Sequence, residues 1–241
     1  MRSGWSNFIF YMATLSSHTR FLRSHLWVPL ILAALALLAL ALLDGDLRLA
    51  HSFFFDATTQ SWLGAQSFWA TDFLHRGGRN LMRLVGVLAI VGWAASYRST
   101  SLAPHRRSLG YLALCMAIVP LTVGALKDTT NVDCPWSLQG LGGDRPVIHW
   151  YQDRPDELPR AACFPGAHSS SAFALFALYF CWLGSHPARA RVALIGVLAI
   201  GSLFSIAQQS RGAHFISHDL TSALIAWLIC LALYMKVMRR A

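Results

Sequence analysis

Charge is what this 241-residue chain has least of. Only 13% of its residues are Asp, Glu, Lys or Arg, and the runs Leu26–Leu43, Ser108–Leu126, Ser169–Ser185 and Val192–Ser210 hold none. Each is 17–19 residues long, the length of an α-helix that crosses a hydrocarbon core. With 55% hydrophobic residues, these runs exclude an ordinary soluble domain, whose helices keep a polar face. Acidic residues are missing from segments 1–25, 98–107, 186–191 and 236–241. Internal repeats are missing too, which excludes a solenoid.

Leu84–Tyr97 and Leu220–Met235 are shorter apolar runs that can be extended at their flanks. The pattern predicts an all-α integral membrane protein, a six-transmembrane-helix bundle forming a single domain over 1–241. The acid-free segments carry Arg2, Arg20, Arg23, Arg98, Arg106, Arg107, Arg189, Arg191, Lys236, Arg239 and Arg240, as cytoplasmic loops do. All eleven Asp and Glu residues fall at 44–83, 127–163 and 211–219, the segments that six crossings put on the opposite face. Both termini are therefore expected in the cytoplasm. The net charge of +9 reads as a topology signal that could also hold anionic lipid, with no reason to invoke nucleic acid. Oligomeric state is not legible.

The first apolar run, some 25 residues in, reads as a retained signal anchor. Before it, Trp5, Phe8, Phe10 and Tyr11 suit either an interfacial segment or a mobile tail. Between the first two spans, His51–Asn80 mixes Phe53, Phe54, Phe55, Trp62, Phe68, Trp69 and Phe73 with polar residues. This predicts helices lying on the outer interface, either as packing or as the lining of a lipid entrance. Gly77-Gly78 then breaks the chain, and Arg83 can snorkel from the next helix. Cys115, Cys181 and Cys230 fall inside predicted spans, whereas Cys134 and Cys163 share one outward loop. Only that pair would meet an oxidising compartment, as a bridge closing a loop of about 30 residues, worth roughly 3–4 kcal/mol, or as two unrelated thiols.

Three polar clusters sit at the ends of apolar runs. His168 and His214 are separated by two spans and a short turn, which returns the chain to one face, and Lys127 closes the preceding span on that face. Polar groups so placed are functional candidates. Pro165-Gly166-Ala167-His168 opens a helix, and the amides around Gly166 and Ala167 suit an anion. Lys127 and Arg211 add fixed positive charge. His214 and His168 can serve as nucleophile and general acid.

In this order the clusters resemble the type-2 phosphatidic acid phosphatase family, which shares its site with the vanadium haloperoxidases. Its pattern is K-x6-R-P, then P-S-G-H, then S-R-x5-H-x3-D. Lys127 and Pro135 match the first motif, with Cys134 in the Arg position; Pro165 and His168 match the second; His214 matches the third-motif His, with Gln208 in the Arg position and His218 in the Asp position. The resemblance covers about 108–237. It implies that His214 attacks phosphorus to form a phosphohistidine and that His168 protonates the leaving alkoxide. One helical turn beyond His214, His218 is expected to hold its imidazole, because Asp219 would point about 100° away on a continuous helix. Arg211 is expected to replace the missing motif arginines, with Arg145 and Arg160 as weaker substitutes. Both cysteines adjoin motifs, so Cys134 in place of Arg reads as a coherent variation.

The expected function is a lipid phosphatase or phosphotransferase of a bacterial inner membrane. It would act on a phospholipid, isoprenyl phosphate or lipid A phosphate at the periplasmic face, without cofactor or metal. Two other readings stand. His214-x3-His218 has helical zinc-ligand spacing, which His168 or Asp219 could complete, giving a zinc-dependent hydrolase; Lys127 beside it argues against a cation. The two absent arginines would also suit a catalytically inactive lipid-binding member.

Overall fold

The computed structural model describes residues 18–148 and 152–239; Trp5, Phe8, Phe10 and Tyr11 lie outside them. The chain is mostly helical. Four helices are long and apolar enough to cross a membrane, His18–Leu42, Ala103–Ser137, Pro187–Ser210 and Ile216–Met238, and a shorter apolar helix covers Ala167–Leu183.

The regular elements are α1 (Val28–Leu42), α2 (Gly45–Phe53), a hairpin of β1 (Phe55–Asp56) and β2 (Ser61–Trp62), a π-helical segment (Trp69–Gly77), α3 (Gly78–Ala95), α4 (Arg106–Thr130), α5 (Ala167–Phe173), α6 (Phe176–Leu183), α7 (Pro187–Ser210) and α8 (Ile216–Leu233). Ala33 is the one buried residue of α1, while Leu32, Leu35, Leu38 and Leu42 are exposed. A helix apolar on every side with its leucines uncovered suits lipid, not water.

The core lies where α4 to α8 converge, around Tyr111, Val119, Phe173, Phe176, Phe180, Val197 and Phe204. Close approaches depend on missing side chains: a Cβ on Gly201 would lie 2.1 Å from the Phe173 ring, and one on Gly78 would lie 2.5 Å from that of Phe204. The helices α3 and α4 run side by side in opposite directions. A Cβ at Gly86 would face Met116, one at Gly92 would face Leu109, and one at Gly110 would meet Trp93.

The segment between α1 and α3 differs from the expected row of interfacial helices. After α2 it forms an antiparallel hairpin pairing Phe55 with Trp62 and Asp56 with Ser61. The hairpin packs onto the turn between α7 and α8: Gly64 N–H donates to the Ser210 carbonyl at 2.8 Å, and the Trp62 indole occupies the space a side chain at Gly212 would need. Asp46 of α2 accepts from the Ser217 N–H at 3.0 Å and from its hydroxyl, supplying an acceptor to the otherwise orphan donors at the start of α8. The aromatics at 53–62 are therefore partly spent on packing this turn, which periodicity cannot distinguish from amphipathic helix.

Candidate active site

The turn between α7 and α8 sets the first half of the site. Gly212 adopts φ +73°, a conformation costly for any residue with a Cβ, and Phe215 is extended. His214 therefore precedes α8 instead of lying on it. This reverses the expected partner: His214 Nδ1 is 2.8 Å from Asp219 Oδ1, and His218 does not hold it. The expectation failed because it treated 214–219 as one helix; with His214 in the turn, the first-turn carboxylate reaches back to it. His218 is buried with its Nδ1 unpartnered, its ring edge-on to Phe164 and Phe215.

Asp219 is fully engaged. Ser169 Oγ donates to Oδ1 at 2.7 Å and Gln209 Nε2 donates to Oδ2 at 3.0 Å. With Nδ1–H of His214 as third donor, the imidazole is fixed in the tautomer that leaves Nε2 with a lone pair. Neither Ser169 nor Gln209 was picked out by the motifs. A one-residue displacement of the family carboxylate, from 218 to 219, is the signal that could have found this cluster.

His168, second residue of α5, lies across from His214. Its ring stacks on Phe204 with centroids 4.6 Å apart and meets His75 edge-on at 5.0 Å. Leu74 hydrogen-bonds it through the backbone, and its Nε2 is buried without a partner. His75 comes from the π-helical segment and was not anticipated. Burial first, then the charges of Arg211 and Arg79, push its pKa down to about 4, so it is neutral near pH 7.

Gly166 has a different role from the anticipated one. Its N–H donates to the His218 carbonyl at 3.1 Å and is not available to an anion. What matters is its missing side chain, because a Cβ there would lie 2.5 Å from Asp219 Oδ1, 2.8 Å from His214 Nδ1 and 2.9 Å from Ser169 Oγ. Ala167 does line the cavity.

That cavity has a volume of about 730 Å³. His75, Lys127, His168, Arg211 and His214 form its polar end; Met82, Val87, Ile90, Met116 and Pro120 continue it between α3 and α4 as an apolar trough. Arg211 Nη1 donates to Gln208 Oε1 at 2.6 Å, so a guanidinium stands beside the Gln that occupies the motif arginine position. Burial and the neighbouring Arg76 lower the Arg211 pKa. The weaker substitutes are spent elsewhere: Arg145 joins Arg154 on Asp133, and Arg160 donates to the Asp128 carbonyl.

Cys134 and Cys163 form a disulfide, reinforced by the Cys163 N–H donating to the Val132 carbonyl at 3.0 Å. It ties the segment after α4 to the segment before α5, and both cysteines line the cavity. The zinc-ligand spacing is not realised, since it required His214 and His218 on one helix. Among the described residues no group of three or more His, Cys, Asp or Glu is placed to hold a metal ion.

Residues 108–241 match the PAP2 superfamily. This chain belongs to the PAP2 superfamily. Comparison with curated proteins finds no match, and comparison with solved structures finds none. Members of the PAP2 superfamily are phosphatases, and the four long apolar helices fit a membrane protein. The PAP2 match begins within α4, so α1 to α3, with His75 and the trough residues Met82, Val87 and Ile90, lie outside it.

Proposed function

We propose that the protein is an integral membrane phosphatase or phosphotransferase for a phosphorylated lipid, working through a phosphohistidine on His214. The observation that carries this is the pairing across one cavity: His214, with Nδ1 held by Asp219 and Nε2 free, faces His168, whose own Nε2 is unpartnered. Nε2 of His214 attacks phosphorus, the bond to the lipid oxygen breaks, and His168 delivers a proton to that oxygen. Asp219 stabilises the imidazolium that develops. Water or a second lipid's hydroxyl then attacks phosphorus, its proton passes to His168, and the bond from phosphorus to Nε2 breaks, restoring both histidines. Lys127 and Arg211 supply positive charge to the equatorial oxygens, and the scheme needs no metal.

The trough of Met82, Val87, Ile90, Met116 and Pro120 supports a lipid substrate, because it continues apolar from the polar end. Six crossings are supported if α1, α3, α4, α5 with α6, α7 and α8 each span once. With the basic acid-free loops taken as cytoplasmic, this reading has the site at the periplasmic face of a bacterial inner membrane. The test is phosphate release by the purified protein from a panel of phosphatidate, phosphatidylglycerol phosphate, isoprenyl phosphates and lipid A, with and without chelator. Release that survives chelation, is inhibited by vanadate and is lost in His214→Ala supports the reading. Loss on zinc removal with recovery on zinc addition contradicts it.

A further inference from the structure

A second cavity, of about 670 Å³, opens between α3 and α4 at the end away from His214. Arg106, on its wall, opens α4, and Lys127 of the candidate active site lies on the same helix. The rise between them is roughly 30 Å, the thickness of a hydrocarbon core. Ile90 alone is common to the described linings of the two cavities. Tyr111 and Ala113 are buried, whereas Ile90, Trp93 and Leu114 are exposed, so the cleft opens sideways onto surface that lipid would cover. The Trp93 indole can form its wall because α4 has no side chain at Gly110, where a Cβ would lie 2.9 Å from Trp93 Nε1.

Two guanidinium groups stand at the mouth, each held by its own backbone carbonyl. Arg106 lies over the Tyr97 ring, 4.3 Å from its centre, and donates to the Ser96 carbonyl at 2.5 Å and to its Oγ at 3.3 Å. Arg107 Nε donates to the Val237 carbonyl of the C-terminal segment. Arg106 Nη1 and both Nη groups of Arg107 have no partner among the described residues. The described lining holds no carboxylate, and segments 98–107 and 236–241 carry six basic residues and no acid. The protein therefore supplies no anion here, and a partly buried cation at a membrane surface calls for one. The order of groups follows from α4 itself: Arg106 and Arg107, then Gly110, Ala113 and Ala117, a run of roughly 16 Å from charge to apolar wall.

We propose that this cleft is a binding site for an anionic phospholipid of the leaflet opposite the candidate active site. Its headgroup phosphate sits on Arg106 and Arg107, and one acyl chain lies along Gly110, Ala113 and Ala117. Charge complementarity selects the headgroup: basic pockets between membrane helices attract anionic lipid, and a zwitterionic headgroup would bring its own cation against the two arginines. Arg107 is exposed, as a headgroup contact at the membrane surface must be. Through Val237 the bound lipid also ties the C-terminal segment to α3 and α4, so it stabilises the folded chain by mass action. The site is independent of the chemistry at His214.

The experiment titrates the full chain, purified in detergent, with phosphatidylglycerol or with phosphatidylcholine of the same acyl chains. Native mass spectrometry reads the bound lipid, and the thermal midpoint is measured alongside. The parent should hold phosphatidylglycerol about tenfold more tightly than phosphatidylcholine, with a rise in thermal midpoint. Arg107→Gln should weaken phosphatidylglycerol about ten- to a hundredfold, the effect of removing a charged hydrogen-bond donor, and Arg107→Lys should recover part of it. Ala117→Phe, which fills the cleft without changing charge, should weaken both lipids. Lys127→Ala, at the other end of α4, should bind phosphatidylglycerol as the parent does. The midpoint without lipid shows which variants are folded. Equal affinity for the two lipids, or parental binding in both Arg107→Gln and Ala117→Phe, would overturn the inference. A loss in Lys127→Ala matching that in Arg107→Gln would place the lipid in the candidate active site instead. A dimer of the parent that Ala117→Phe dissociates would give the cleft to a second copy of the chain.

Discussion

Gly166 and Asp219 leave no room between them for a methyl group: a Cβ on Gly166 would lie 2.5 Å from Asp219 Oδ1. The second motif thus presses bare backbone against the carboxylate that orients His214. Gly166→Ala must displace Asp219, His214 or the start of α5. Because a misplacement of about 1 Å at reacting groups can cost about 10² in rate, turnover should fall by that order. Lipid phosphatase assays with thermal unfolding check this, and a Gly166→Ala enzyme as fast as the parent would show that the contact is not part of catalysis.

Asp219 and His218 separate under the same assay. Asp219→Asn removes the acceptor that sets the His214 tautomer and should lower turnover by at least about 10². His218→Gln, at a site packed by Phe164 and Phe215, should leave folded protein active to within about tenfold. The opposite ranking would return the orienting role to His218.

Removing one donor aimed at a developing oxyanion costs about 10²–10³ in rate. Arg211→Ala should show a loss of that order, and Gln208→Ala a smaller one, since Gln208 accepts from Arg211 and carries no charge. Arg211→Lys should recover little, because an ammonium does not reproduce the guanidinium fork. Steady-state kinetics decide it, and an Arg211→Ala enzyme equal to the parent would leave the phosphate charge to Lys127.

His75 makes stability pH-dependent in a defined window. Its pKa is about 4 in the folded chain against an ordinary 6.5, so between those values the unfolded chain binds the extra proton. Its contribution is fully present above about 6.5 and is lost as pH falls towards 4. The thermal midpoint of the detergent-solubilised protein should fall on acidification through this window, and His75→Gln should flatten the slope. An unchanged slope in that variant would assign the pH dependence elsewhere.

Lys127, His168 and His214 could be brought to one cavity by counting spans and following motif order, because apolar run length and charge placement are strong one-dimensional signals. Asp219 was hidden by a turn: whether 214–219 is helical depends on Gly212 and on Trp62 packed against it, a contact between residues 150 apart in sequence. His75 was hidden for another reason. It precedes the matched region, and its place on the cavity wall follows from how α3 packs on α4. Apolar periodicity predicts that a helix packs, without stating its rotation against its neighbour.

In the proposed mechanism phosphate passes through His214. Rapid quenching of the parent with a lipid carrying radiolabelled phosphate, followed by peptide mapping, measures it directly. Acid-labile, base-stable label is expected on the peptide containing His214 and absent from His214→Ala, which should also release no phosphate. Label on another residue, or phosphate release persisting in His214→Ala, would contradict it.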